Sequence, residues 1–110
     1  KFFEKASNDM GHHTATLHAI AKLIDGIGSN FIDDGISWIS DMIKDNPNLQ
    51  TEDLEVNTVY YLENIVRRFV LSNRQKIRSS LTLKNRILII LDFLIQKGSV
   101  TAYLTREDIL

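Results

Sequence analysis

Residues 83–97 constrain the fold more than any other stretch of this chain. Leu83, Ile87, Leu88, Ile89, Ile90, Leu91, Phe93, Leu94 and Ile95 leave only Asn85, Asp92 and Gln96 as a polar strip. At about 100° per residue, these apolar side chains cover most of a helix circumference. A helix that is apolar nearly all round has to be central and packed on several sides. The isoleucine content would also suit a buried strand. The length of the stretch, and the lack of a second strand to pair with it, favour helix. Leu88, Leu91 and Leu94 are therefore expected in the core, and the rest of the chain has to wrap them.

Three other segments carry the helical period needed for that. Leu17, Ile20, Ala21, Ile24 and Ile27 follow the i, i+3, i+4, i+7 pattern from a Thr14 cap, with Gly26 and Gly28 as the stop. Ser29 or Asn30 would cap a second helix with Ile32, Ile36, Ile39, Met42 and Ile43 on its apolar face and Phe31 and Trp38 at the rim. Asp33 and Asp34 suit its first turn, where the helix dipole favours acids. Pro47 ends it, because proline cannot continue the hydrogen-bond ladder. Residues 48–56 read as a loop with a short helical turn from Thr51. A third helix is expected from about Asn57 through Asn73 to Arg78, burying Val59, Leu62, Ile65, Val66, Phe69, Val70 and Ile77. Thr82 is the expected cap of the central helix, Gly98 its stop, and Thr105-Arg-Glu-Asp108 the capping-box-like start of a fifth. The first and third helices begin 43 residues apart, inside the period of HEAT or armadillo helix pairs.

Composition narrows the functional classes. The 110 residues are 44% hydrophobic and 25% charged, an ordinary balance for one globular domain. No cysteine is present, which excludes disulfides and thiolate metal sites and fits a reducing compartment. The longest apolar run, Ile87 to Leu91, is five residues, far short of a membrane span. The sequence opens on Lys1 and closes on what reads as the start of a helix, so a piece of a longer chain is expected.

Charge is unevenly distributed. Net charge is −1, but residues 1–63 hold four basic and eleven acidic residues, a balance of −7. Residues 64–110 hold nine basic and three acidic, a balance of +6. Two trios share one spacing within this asymmetry. Asp34, Asp41 and Asp45 lie at i, i+7 and i+11 in the second helix, and Arg67, Arg74 and Arg78 repeat that spacing in the third. Seven and eleven steps return to within about 20° of the start, so each trio would line one helix face. Tyr60 joins the basic line, Arg68 and Lys76 flank it, and Lys84 and Arg86 follow after the turn. Both lines oppose their own apolar faces and so should point outward. Arginine and tyrosine in this arrangement suit an acidic protein surface or a phosphate backbone.

Signatures of chemistry are missing. His13 and His18 are five residues apart, about 140° around a helix, whereas paired histidine ligands want i, i+4. Gly26-Ile-Gly28-Ser29 lacks the preceding strand and the lysine of a phosphate loop. The acid pairs Asp33-Asp34 and Glu52-Asp53 are surface patterns without a pocket partner, and no Gly-x-Ser-x-Gly elbow occurs.

Residues 86–101, Arg-Ile-Leu-Ile-Ile-Leu-Asp-Phe-Leu-Ile-Gln-Lys-Gly-Ser-Val-Thr, resemble the opening of a winged-helix domain: an apolar helix, a glycine, then a Ser/Thr-capped second helix. That resemblance implies nucleic-acid binding, with the recognition helix and wing beyond Leu110.

The expected fold is all-α, a four-to-five-helix bundle or a short HEAT-like α-solenoid fragment, with residues 1–110 as one helical domain. The expected function is a non-enzymatic protein–protein or interdomain interaction module of a larger cytoplasmic protein. It needs no cofactor or metal, does not engage a membrane, and self-associates weakly. The interaction residues are Tyr60, Arg67, Arg74, Arg78, Asp34, Asp41 and Asp45. The alternative is a nucleic-acid-binding module using the arginine line.

Overall fold

In the computed structural model, which describes residues 13–27 and 32–110, six α-helices follow one another without a strand among the described residues. They are α1 (His13–Ile27), α2 (Ile32–Asp45), α3 (Val56–Ser72), α4 (Arg74–Ser79), α5 (Leu81–Gln96) and α6 (Val100–Ile109). A 3-10 turn, Pro47–Gln50, sits between α2 and α3.

The core is built from the apolar faces read in the sequence. Leu17, Ile20, Ala21 and Ile24 of α1 are buried, as are Ile32, Ile36, Ile39, Met42 and Ile43 of α2. Leu62, Ile65, Val66, Phe69 and Val70 of α3 join them, with Ile77 of α4. Helix α5 is central as expected: it packs on α2, α3, α4 and α6. Ile87, Ile90, Leu91, Phe93 and Leu94 are sealed in, while Leu88, expected beside them, is only half-buried. Helix α1 packs most extensively on α3, and α2 on α5, within an all-α bundle. The Cα radius of gyration is 12.9 Å, close to the value of about 13 Å for a compact domain of this size. One close approach between α1 and α2 depends on a missing side chain. A Cβ on buried Gly35 would stand 2.5 Å from Cδ1 of Ile24.

Helix ends account for the departures from the sequence reading. The third helix does not run through to Arg78. It stops at Ser72, and Asn73 takes a non-helical conformation before α4 begins. The Asn73 amide donates to the Phe69 carbonyl at 2.9 Å, which satisfies an end-of-helix acceptor and releases the backbone from the ladder. Asn46 does the same for Met42 at the end of α2, at 2.9 Å. The α2–α3 connection carries its helical turn at Pro47–Gln50, ahead of Thr51, and buries Leu49. Lys97 anchors this connection by donating to the Gln50 carbonyl at 3.2 Å.

Ser80, not Thr82, caps α5: its hydroxyl accepts from the Leu83 amide at 3.2 Å. Gly98 ends α5 with φ at +94°, a conformation that side chains resist. Gly98 N–H donates to Ile95 at 2.9 Å and Ser99 N–H to Leu94 at 3.0 Å, the paired bonds of a Schellman motif. Ser99 can therefore cap α6 at once, accepting from Ala102 N–H at 3.0 Å. The last helix thus starts five residues before the expected Thr105. Thr105 lies inside it and donates to the Thr101 carbonyl at 2.9 Å. Thr14, expected as the α1 cap, lies within α1. The Ser29 and Asn30 caps, Phe31 and Gly28 fall outside the described residues, as does His12. No helix among the described residues is long and apolar enough to cross a membrane.

Candidate functional site: an outward face on α3 and α4

Helix α3 buries one side and presents the other. Tyr60, Arg67 and Leu71 lie on its outward side, at i, i+7 and i+11, and all three are exposed. Leu71 leaves 61% of its surface open and Tyr60 56%. Leu71 is the member that the charge pattern left out. Its signal is positional: it stands one turn past Arg67 and about 20° from the line through Tyr60. Asn64 completes this face by accepting from Arg67 Nη2 at 3.2 Å.

The break at Asn73 changes the arginine line. Arg67 belongs to α3, whereas Arg74 and Arg78 belong to the separate helix α4. Arg74 is committed internally, with Nη2 2.9 Å from Asp108 Oδ2 of α6. Arg67 and Arg78 are exposed and form no ion pair among the described residues.

The flanking cations serve the fold. Arg68 Nη2 lies 2.8 Å from Asp25 Oδ1 of α1. Lys76 is 3.7 Å from Asp33, and Arg86 donates to Ser37 Oγ at 2.7 Å. Each of these contacts ties the basic half of the sequence to the acidic half. Part of the charge asymmetry is thus consumed within the molecule. The charges left without an ion pair among the described residues include Arg67 and Arg78 on α3 and α4, and Asp34, Asp41 and Asp45 with Lys44 on α2. The three aspartates sit along α2, exposed, with no ion pair among the described residues. The structure does not bring the two trios together.

Two further polar clusters join helices to one another. His18 Nδ1 lies 2.6 Å from the buried Thr58 hydroxyl and 3.5 Å from Glu55 Oε2, with its ring tilted against Tyr61. This cluster fastens α1 to the start of α3. Buried Ser99, besides capping α6, hydrogen-bonds the Glu63 carboxylate. Asp33, Asp34, Glu52 and Asp53 are all exposed. No group of acids and histidines among the described residues has metal-site geometry.

Open grooves are lined by the described residues at more than one place. One, of about 380 Å³, is lined by Ile32, Asp33, Arg68, Phe69, Leu71 and Ser72 among others. Its two charged members are the ones already paired with Lys76 and Asp25. Another, of about 360 Å³, lies between the end of α2 and α5, with Lys44, Gln50, Asp92 and Gln96 at its polar positions. Neither lining set brings a nucleophile to a base. Helix α6 adds exposed Val100, Tyr103 and Leu104 at i, i+3 and i+4. Comparison of the sequence with protein-family models and with curated proteins finds no match.

Proposed function

We propose that this chain is a non-enzymatic interaction module that binds another protein, or another domain of its parent protein, through the outward face of α3 and α4. One observation carries the reading. Arg67 on α3 and Arg78 on the adjoining α4 are exposed cations without an ion pair among the described residues, and α3 also exposes Tyr60 and Leu71. Tyrosine and arginine are the residues most often found as energetic anchors in protein interfaces. An exposed leucine between them adds apolar area that a merely solvated helix back does not need.

The same surface supports nucleic-acid binding less well. Arg74 is bound to Asp108, and Glu107 is exposed on the same helix as Asp108, so carboxylates stand beside the arginines. Two unpaired arginines would neutralise about two phosphates, a small electrostatic contribution compared with the six to ten contacts of strong binders.

The direct test places a photo-crosslinking residue at Leu71 and, as a control, at exposed Ala15 or Lys22 on α1. In extract from the native source, position 71 should capture a discrete protein and the α1 positions should not. Equal capture at all positions, or a salt-sensitive shift of generic duplex DNA with no protein adduct at 71, would remove this reading.

A further inference from the structure

The charges that the fold leaves unused define a specific partner. We propose that the α3–α4 face docks on helix α2 of a second copy of this chain, so that Arg67 and Arg78 meet Asp34, Asp41 and Asp45. The proposal rests on the reading of α3–α4 as a binding face and names its occupant.

Charge complementarity carries it. Arg68, Lys76 and Arg86 are spent on Asp25, Asp33 and Ser37 within the molecule. The cations left on the face are Arg67 and Arg78, and Arg74 is shared with Asp108. On α2, Asp33 is spent on Lys76, and Asp34, Asp41 and Asp45 remain on one line. Helix rise sets those carboxylates about 10.5 Å and 6 Å apart along the axis. Arg67 on α3 and Arg78 on α4 are the cations of the receiving face, so unpaired acids and unpaired cations occur on separate helices of one chain.

Neither line can satisfy the other inside one molecule. Asp33 and Lys76 show how close α2 comes to α4, yet Asp34, one residue away, forms no ion pair among the described residues. A helix turns about 100° per residue, so Asp34 points away from the contact that Asp33 makes. Apolar groups accompany both lines. Half-buried Trp38 lies between Asp34 and Asp41 on α2, and the receiving face exposes Tyr60 and Leu71.

The two surfaces are different, so the contact is heterologous: each copy offers one face and receives on the other. Such contacts build rings or open chains. The attraction between exposed charges is screened over about 10 Å at 0.1 M salt, so the assembly should be weak and salt-sensitive.

The test is a charge swap read by sedimentation velocity. One variant carries Asp34→Arg, Asp41→Arg and Asp45→Arg, and the other carries Arg67→Glu and Arg78→Glu. The unaltered chain should self-associate at low salt and weaken at least tenfold near 1 M salt, where the screening length is about 3 Å. Each variant alone should be monomeric, because its two lines then carry the same sign. An equimolar mixture should associate again, since each variant then supplies the complement of the other. The neutral set Asp34→Asn, Asp41→Asn and Asp45→Asn keeps the test valid if charge reversal disturbs folding, and it should also be monomeric. A monomeric wild-type chain at low salt and millimolar concentration would overturn the proposal, as would a dimer indifferent to salt or to the swaps. Capture of a different protein at position 71 by a monomeric chain would leave the binding face standing and remove only the second copy as its occupant.

Discussion

Truncating Leu91 to alanine tests the packing argument where it is strongest. Leu91 is 1% exposed and sits on α5, the helix in contact with α2, α3, α4 and α6. The substitution removes the equivalent of three methylene groups, about 2.4 kcal/mol of transfer free energy at 0.8 per group. A cavity term is added, about 24 cal/mol for each Å³ that the surroundings fail to fill. With helices on several sides, collapse into the gap is restricted, so the expected loss is about 3–4 kcal/mol. Leu88 on the same helix is half-buried and provides the internal control, with an expected loss of about half that. Urea unfolding followed by far-ultraviolet circular dichroism measures both, as shifts in midpoint at constant slope. A Leu91→Ala loss below about 0.5 kcal/mol, a value typical of surface positions, would refute the central placement of α5. Equal losses at Leu88 and Leu91 would refute the face assignment.

Two further outcomes follow from the α5–α6 turn. Gly98→Ala forces a side chain into a left-handed conformation at φ +94° and should cost about 1–2 kcal/mol, read from a thermal or urea melt. Ser99→Ala removes the hydroxyl that accepts from Ala102 N–H and bonds Glu63, and should cost about 0.5–2 kcal/mol, whereas Thr105→Ala, in the interior of α6, should cost less.

The sequence exposes some of this molecule more readily than the rest. Apolar residues spaced at three and four are a local, repeated signal, and so the buried faces of α1, α2, α3 and α5 are readable from periodicity alone. The break at Asn73 is not, because it turns on one side-chain amide outcompeting the backbone for the Phe69 carbonyl. Periodicity runs straight through it, since Ile77 is buried in α4 just as an unbroken helix would bury it. The start of α6 is hidden from sequence for a related reason. Thr105-Arg-Glu-Asp108 has the composition of a capping box, but Ser99 accepts from the Ala102 N–H and starts the helix earlier, immediately after the left-handed Gly98.

For the candidate face, the outward direction of Tyr60 and Arg67 follows from the opposite apolar face and was legible. Pairing was not. Arg68 with Asp25 and Arg86 with Ser37 join residues more than forty positions apart, and helix phase says nothing about such partners. Leu71 was readable in principle, because it falls off the buried face, but attention to charge alone passes over it.

The central claim is that the outward face of α3 and α4 serves binding and contributes little to folding. A single variant, Arg67→Glu with Leu71→Ser and Arg78→Glu, tests both halves at once. Exposed substitutions change stability by no more than about 0.5 kcal/mol each, so its thermal melt should stay close to that of the unaltered chain. On the same preparation, the proteins captured from the native source, including further copies of the chain, should be lost. A folded variant that keeps every partner would contradict the account.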